Sequence, residues 1–123
     1  MPKKRVLLVN PHNAFREAMA IKLNQEEDLE VVWQAGSLEE AHGIHLDGID
    51  LAVVDPVLLD RDEGMVLVRE VSVSNPNASA LVLTSSLDPA VRERALGAGA
   101  VEVLTTSANT KEIINAIRRS GGA

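Results

Sequence analysis

Ile49-Asp50-Leu51-Ala52-Val53-Val54 is a mainly apolar stretch that ends in an aspartate, Asp55. An apolar run that does not alternate with polar residues is typical of a strand covered on both faces, as in a parallel sheet between helices. A carboxylate at the end of such a strand is costly to bury, so its position usually marks a functional site. The first apolar run, Val6-Leu7-Leu8-Val9, ends instead in the neutral pair Asn10-Pro11.

Short β-branched runs alternate with helical patterns along the whole chain, which predicts an α/β fold with a doubly wound parallel sheet. We expect strands at residues 5–9, 29–35, 50–55, 80–85 and 101–104. Three of the intervening helices have clear start signals, because Ser37, Asp88 and Asn109 are capping residues in the right position. The mixed polarity of the second run, which contains Trp33, favours an edge strand.

Length and composition limit the possible functions. The 123 residues suit one domain, which we expect over residues 1–119, with 120–123 as a linker or added end. A net charge of −6 and an aromatic content of 2% argue against a nucleic-acid or anionic-membrane binder. With no cysteine, a disulfide scaffold and a thiolate nucleophile are excluded. No apolar run is long enough for a transmembrane helix, so we expect a cytoplasmic protein.

The residues that follow the strands carry the functional information, because functional groups of a doubly wound sheet gather at the carboxyl ends of its strands. These residues are Asn10 and Pro11 after the first strand, Asp55 after the third, Thr84 and Ser85 after the fourth, and Thr105 and Thr106 after the fifth.

The order and spacing of these segments resemble the receiver domain of two-component response regulators. The matching segments are Val6-Leu7-Leu8-Val9, Asp50 to Asp55, Leu81-Val82-Leu83-Thr84-Ser85, and Ala95 to Ala100. His12 and the Phe15-Arg16-Glu17 pattern are most similar to receivers attached to LuxR-type helix-turn-helix domains, the NarL/FixJ group. The resemblance implies a flavodoxin-like (CheY-like) fold, with a five-stranded parallel sheet in the order 2-1-3-4-5 and five flanking helices.

The resemblance also implies a phosphorylation chemistry. In the family a histidine kinase transfers a phosphoryl group to a strand-end aspartate, which corresponds here to Asp55. Thr84 corresponds to the hydroxyl that binds the phosphoryl group, and the backbone carbonyl of Val57 corresponds to a ligand of the family's Mg²⁺. DNA would be bound only through a separate helix-turn-helix domain, which this sequence does not contain.

Several positions depart from the family pattern. Asn10 and Pro11 replace the acidic pair, Thr106 replaces a lysine, and Val103 replaces the aromatic residue of the switch. The loop 56–64 is also one residue longer than usual. Mg²⁺ is held by a small number of carboxylates, so the loss of two of three acidic groups predicts weak or absent binding. The loss of the lysine removes a positive charge that would stabilise the phosphorylated state.

Other polar residues each have two interpretations. The loop carboxylates could supply a substitute metal ligand, or could form a solvated acidic loop; they are Asp60, Asp62 and Glu63. His42 and His45 have a spacing compatible with metal binding, but no third ligand is evident and solvent-facing histidines are favoured. Asp55 itself could be a working acceptor or could simply accept structural hydrogen bonds.

The sequence therefore predicts a non-enzymatic, atypical receiver domain that regulates an output domain through protein contacts, without ordinary magnesium-dependent phosphorylation. The first alternative is a receiver that a histidine kinase still phosphorylates at Asp55 through a non-standard site. The second alternative is a small-molecule sensor or an enzyme that uses the same strand-end pocket. We expect a histidine kinase or an output domain as partner, a possible homodimer, no membrane contact, and no bound cofactor.

Overall fold

The computed structural model of the chain describes residues 3–43, 48–57, 63–74, 77–85 and 88–120. Within these ranges five parallel strands alternate with five helices. The strands are β1 (Lys4–Val9), β2 (Leu29–Ala35), β3 (Leu51–Val54), β4 (Ser79–Thr84) and β5 (Glu102–Thr105). The helices are α1 (Asn13–Asn24), α2 (Leu38–His42), α3 (Glu63–Ser74), α4 (Pro89–Ala98) and α5 (Thr110–Arg119).

The strand order is β2-β1-β3-β4-β5, which confirms the predicted doubly wound, flavodoxin-like sheet. The connection from β1 leads outward to β2, whereas the chain from β3 onward proceeds in the opposite direction across the sheet. The carboxyl ends of β1 and β3 therefore border the point at which the strand order switches. In open α/β sheets this switch point is where functional sites form.

The edge strand β2 is irregular, as its mixed polarity suggested. Val6 pairs with Val31, whereas the next residue, Leu7, pairs with Trp33, so that the pairing register shifts by one residue. Such bulges bend an edge strand and discourage pairing with another chain. Trp33 lies on this edge with 49% of its surface exposed.

Two aliphatic core layers cover the faces of the sheet. Successive residues of β1 point to opposite layers, because side chains of a strand alternate in direction. Leu7 and Val9 pack in the layer that includes buried residues of α3 and α4, whereas Val6 and Leu8 pack in the layer that includes buried residues of α1 and α5. The central strands are buried on both faces, which explains their unbroken apolar runs.

All three predicted helix caps are confirmed. The side chains of Ser37, Asp88 and Asn109 accept hydrogen bonds from the backbone N–H groups three residues later, at 3.1, 2.9 and 2.8 Å. At the other end of α4, Gly99 adopts a left-handed conformation with φ of 115°. A side chain at Gly99 would also meet Ser72 of α3, so this position needs glycine for both reasons.

The last turn of α5 is fixed to the first strand. Lys4 Nζ donates to the carbonyls of Ile117 and Arg118 at 3.0 and 2.7 Å, and also to the carbonyl of Ser120. Ser120, the first residue of the predicted linker, is buried. Residues 121–123 lie outside the described residues, and the domain boundary stays a prediction. No helix in the described ranges has the length and apolar character needed to cross a membrane.

Candidate functional site

The pairing of β1 with β3 brings Asn10 and Asp55 side by side at the carboxyl edge of the sheet. Val9 pairs with Val54, and the N–H of Asp55 then donates to the carbonyl of Val9 at 2.9 Å. The N–H of Asn10 donates in turn to the carbonyl of Ala35 in β2, at 3.0 Å. Both polar side chains are buried, with 6% of Asn10 and 7% of Asp55 exposed. The switch point thus encloses one carboxyl group and one amide.

The two carboxyl oxygens of Asp55 each face a hydrogen-bond donor. Oδ1 accepts from the N–H of Val57 at 2.8 Å, whereas Oδ2 lies 3.5 Å from Nδ2 of Asn10. The first contact is a normal hydrogen bond, and the second is long enough to be weak. The donors around this carboxyl group are therefore a backbone N–H and a neutral amide.

The orientation of the Asn10 amide is fixed by its other contact. Its Oδ1 accepts from the N–H of His12 at 2.8 Å. A backbone N–H can only donate, so the amide oxygen must face His12 and the amide nitrogen must face Asp55. Asn10 consequently offers Asp55 a donor, and its oxygen is already occupied.

Arg16 holds the backbone on the outer side of the same edge. Its Nη1 donates to the carbonyl of Asn10 at 2.7 Å, and its Nε donates to Oε1 of Gln34 at 3.2 Å. The guanidinium therefore connects α1 to the ends of β1 and β2. The sequence had pointed to Arg16 only as part of the family resemblance, and its contact with the Asn10 carbonyl required the three-dimensional arrangement.

Burial raises the pKa of the Asp55 carboxyl above its ordinary value, and the Val57 N–H and the charge of His12 oppose this shift without cancelling it. A buried carboxylate is stabilised most effectively by a cation in direct contact. In the part of the chain that the structure describes, no lysine or arginine forms an ion pair with Asp55. The site thus disfavours an ionised acid more than water does.

The chain after Asp55 is held by the first turn of α3. The N–H of Gly64 donates to the carbonyl of Pro56 at 3.1 Å. A Cβ at Gly64 would lie 2.0 Å from the carbonyl oxygen of Asp55, a distance that no real side chain tolerates. Gly64 is therefore required for the close approach of α3 to the site. The sequence had pointed to this glycine only through the length of the preceding loop.

Thr84 and Thr106 lie at the same edge of the sheet. Thr84 ends β4 and is buried, and its carbonyl accepts from the N–H of Thr106 at 2.9 Å. Thr106 is half-buried, directly after β5. Val103 is buried within β5, where it belongs to one of the two core layers. The fold therefore assembles the predicted residues at one edge, with Val103 in the core beneath it.

Among the described residues that the strands bring to this edge, Asp55 supplies the carboxylate. Among the described residues, no group of three or more His, Asp or Glu side chains is arranged to hold a metal ion. Pro11 has no side-chain donor atom, and Val57 is exposed with its N–H bound to Asp55. His42 pairs with Glu70 of α3 at 2.9 Å. Of the three loop carboxylates, Glu63 is the first residue of α3. Asp60 and Asp62 lie outside the described residues, as does the second histidine, His45.

Comparison with known proteins identifies a consistent set of relatives. The family of response regulator receiver domains matches residues 6–118. The response regulator protein VraR of Staphylococcus aureus (strain NCTC 8325 / PS 47) is 29% identical over 117 residues, which cover 94% of this chain and 56% of VraR. The chain therefore spans about half the length of the curated relatives it matches.

Two solved structures show the same likeness in three dimensions. The signal receiver domain of the response regulator NarL from Mycobacterium tuberculosis has a TM-score of 0.83 at 26% identity, covering 96% of this chain and 95% of that one. A two-component response regulator of the LuxR family from Aurantimonas sp. SI85-9A1 has a TM-score of 0.85 at 26% identity, covering 94% of this chain and 83% of that one.

Proposed function

The chain belongs to the family of response regulator receiver domains, and we propose that it is an atypical receiver that acts without magnesium-dependent phosphorylation of Asp55. Receiver domains of two-component systems are generally non-enzymatic signalling domains that interact with histidine kinases and output domains, and they typically bind Mg²⁺ at their phosphorylation site. The observation that carries the proposal is the Asn10 amide, which presents its nitrogen to Asp55.

The residues that the structure describes at the carboxyl edge do not fit Mg²⁺. This ion requires oxygen ligands in near-octahedral geometry and usually takes at least one or two carboxylates. The Asn10 oxygen is bound to His12, and Pro11 offers no ligand. Each missing carboxylate removes about 8 kcal/mol of gross Coulomb attraction to the doubly charged ion at 4 Å, with an effective dielectric constant near 20. Even a fraction of this loss lowers affinity by orders of magnitude.

The site also offers little to stabilise a phosphoryl group on Asp55. The proposed phosphoryl-binding hydroxyl belongs to Thr84, and the position of the family's lysine is held by Thr106. A phosphoryl group adds nearly two negative charges, which need cationic or metal partners in a buried site. Burial already raises the pKa of the Asp55 carboxyl, which indicates that even a single charge is disfavoured there.

A receiver without this chemistry would act through its surface, and two exposed valines of α3 favour a protein contact. Val66 and Val73 are 47% and 78% exposed, and Arg69 and Glu70 lie between them on the same helix. These four residues line one surface groove, and apolar patches rimmed by polar residues mark interaction sites. The proposed partners are an output domain and a second copy of the chain, in the cytoplasm, with DNA bound only through a separate domain.

Treatment with acetyl phosphate, followed by intact-mass spectrometry with and without Mg²⁺, tests the proposal. We expect no phosphorylated species from the natural chain. The triple variant Asn10→Asp, Pro11→Asp, Thr106→Lys rebuilds the family pattern and should gain a phosphorylated mass that does not form when EDTA is present during the reaction. Adding Asp55→Asn to that variant should abolish the gain.

Asn115→Asp is the matched control, because it adds a carboxylate on an exposed position of α5, away from the site. It should leave the natural chain unphosphorylated. Phosphorylation of the natural chain that EDTA and Asp55→Ala both abolish would contradict the proposal. Phosphorylation that survives EDTA but needs Asp55 would instead favour a non-standard, metal-independent acceptor site.

A further inference from the structure

We propose that a cavity between α1 and α5 binds a small amphipathic carboxylate, with an apolar ring or short branched body and one carboxylate group. The cavity lies on the α1 and α5 side of the sheet and has a volume of about 140 Å³. Its walls combine an apolar interior, formed mainly by Phe15, Met19 and Ile113, with a polar rim at Lys22, Thr106 and Thr110.

The volume and the interior specify the apolar part of the ligand. A buried cavity of about 150 Å³ lined by apolar side chains binds a single benzene ring. The cavity here has nearly that volume, but it is open to solvent on the side of Ala18 and Lys22, which are both exposed. One six-membered ring or an equivalent branched chain therefore fills it, whereas a nucleotide is too large.

The polar rim of the cavity determines which charge the ligand should carry. Lys22 is the charged residue among those that line the cavity, and its Nζ lies 3.4 Å from Oγ1 of Thr110. No carboxylate among the described residues pairs with this ammonium group. An ammonium has three N–H donors, so two remain for a ligand anion. The hydroxyls of Thr106 and Thr110 can donate to the same anion.

The cavity adjoins the candidate site and shares Thr106 with it, but Asn10 and Asp55 do not line the cavity. Phe15 and Met19 line both this cavity and the smaller pocket that contains Asn10 and Asp55. A ligand packed on these two side chains would therefore alter the packing next to Asp55. Binding in the cavity does not depend on phosphorylation of Asp55, so the inference stands or falls independently of the proposed function.

Titration of the ¹⁵N-labelled chain with sodium benzoate, followed by NMR, tests the inference. We expect saturable shifts at the amides of Ala108, Thr110 and Ile113. Benzylamine has the same ring with the opposite charge and should produce no saturable shift, and acetate has the charge without the ring and should bind far more weakly. No acetyl phosphate is present, so the result is separate from the phosphorylation assay.

Two variants and one control assign the shifts to the cavity. Lys22→Gln should weaken benzoate about threefold, because an exposed charge-assisted contact is lost. Ala18→Leu should abolish binding by filling the space, and Ala18 is exposed enough for the chain to fold. Lys111→Gln removes an exposed lysine of α5 that does not line the cavity, and should leave the affinity unchanged.

Three outcomes would overturn the inference. The first is the absence of benzoate-dependent shifts at the lining residues. The second is equal binding of benzoate and benzylamine with no effect of Lys22→Gln, which would remove the role of the rim. The third is that the NMR shifts of the lining residues change with protein concentration but not with benzoate. A second copy of the chain would then cover the cavity.

Discussion

Asp50 and Asp55 flank the same strand, β3, and meet opposite environments at its two ends. Asp50 Oδ2 accepts from the backbone N–H of Arg5 at 2.8 Å, and its Oδ1 lies 3.3 Å from the Arg5 guanidinium. Asp55 faces the amide of Asn10 at 3.5 Å. Arg5 and Asn10 each precede their aspartate by 45 residues, so the same pairing of β1 with β3 creates both contacts.

The pKa values of the two carboxyl groups are consequently shifted in opposite directions. Burial acts to raise the pKa of Asp50, but the hydrogen bonds and charge of Arg5 outweigh it, so this pKa lies below its ordinary value. Burial also acts on Asp55, and the pKa there stays raised because the neighbouring donors are too weak. The partner at the end of β1, rather than β3 itself, therefore decides whether the ionised form of each carboxyl group is stabilised.

The contrast extends to the surrounding residues. Near the amino end of β1, Arg118 of α5 pairs with Asp28 at 2.7 Å and also with Glu26, and Lys4 binds carbonyls at the end of α5. The hydrogen bond from Arg118 lowers the pKa of Asp28. One end of the sheet is therefore a set of matched charges, whereas at the other end the described residues place no ion-pair partner against the buried carboxyl group of Asp55.

The largest expected effect comes from breaking the packing behind Asp55. Gly64→Ala should destabilise the chain by about 3 kcal/mol, because its Cβ would overlap the backbone of Asp55 and Pro56. Urea unfolding measures the change. Gly97→Ala is the control, because nothing lies within 4 Å of a Cβ there. It should stabilise α4 by about 0.5–1 kcal/mol. Equal effects of the two substitutions would contradict the packing role of Gly64.

A second carboxylate next to Asp55, at the carboxyl edge of the sheet, should destabilise the folded chain. Asn10→Asp places a negative charge about where the amide nitrogen now lies, 3.5 Å from Asp55. Gross repulsion of about 4 kcal/mol, relieved in part by proton uptake, should leave a net loss of about 2 kcal/mol at neutral pH without Mg²⁺. The loss should disappear in acid, where both groups are protonated. Asn115→Asp, on the exposed face of α5, should change stability by less than about 0.5 kcal/mol.

Substituting Asp50 and substituting Asp55 should change the pH dependence of the free energy of unfolding in opposite directions. The lowered pKa of Asp50 means that the unfolded chain binds more protons there, so its contribution to stability is present above the ordinary pKa of 3.8 and is lost as pH falls. The raised pKa of Asp55 reverses the sign, so its contribution falls as pH rises above 3.8. Asp50→Asn should therefore cost about 1 kcal/mol at neutral pH.

Asp55→Asn should leave stability unchanged or raise it at neutral pH, because Oδ1 still accepts from Val57 and no charge is buried. Urea unfolding of both variants and the natural chain at acidic and neutral pH measures the two slopes. A greater loss for Asp55→Asn than for Asp50→Asn at neutral pH would refute the interpretation of the two environments.

The smallest effect is expected where the charges are most exposed. Arg118→Gln removes both ion pairs of this side chain, but 39% of Arg118 is exposed, so we expect a loss below about 0.5 kcal/mol. The loss should vanish in high salt, which screens exposed charges. A loss above 1 kcal/mol that salt leaves unchanged would show that this cluster holds the fold more tightly than its exposure implies.

The sequence predicted most of the fold because the determining signals are local. Unbroken apolar runs located the central strands, and Ser37, Asp88 and Asn109 located three helix starts through side-chain hydrogen bonds to residues only three positions away. The strand order came from the resemblance. Because the site residues lie directly after strands, the same local signals also predicted that Asn10, Asp55, Thr84 and Thr106 would share an edge.

The details of the site could not be predicted, because they depend on contacts between distant segments. The contact of Arg16 with the Asn10 carbonyl, the approach of Gly64 to Asp55, and the cavity with Lys22 at its rim each require packed helices. The orientation of the Asn10 amide could not be predicted from the sequence either, because it is set by the N–H of His12.

By itself, the sequence determined that a carboxyl group ends the third strand and that the neutral pair Asn10-Pro11 follows the first, since residue identity and hydrophobic pattern suffice for both. Only the tertiary structure decided which acid of β3 is matched by a charge and which is not. That decision rests on the register between β1 and β3, because a shift of one residue would separate Asp50 from Arg5 and Asp55 from Asn10, and would move every side chain of the strand to the opposite face.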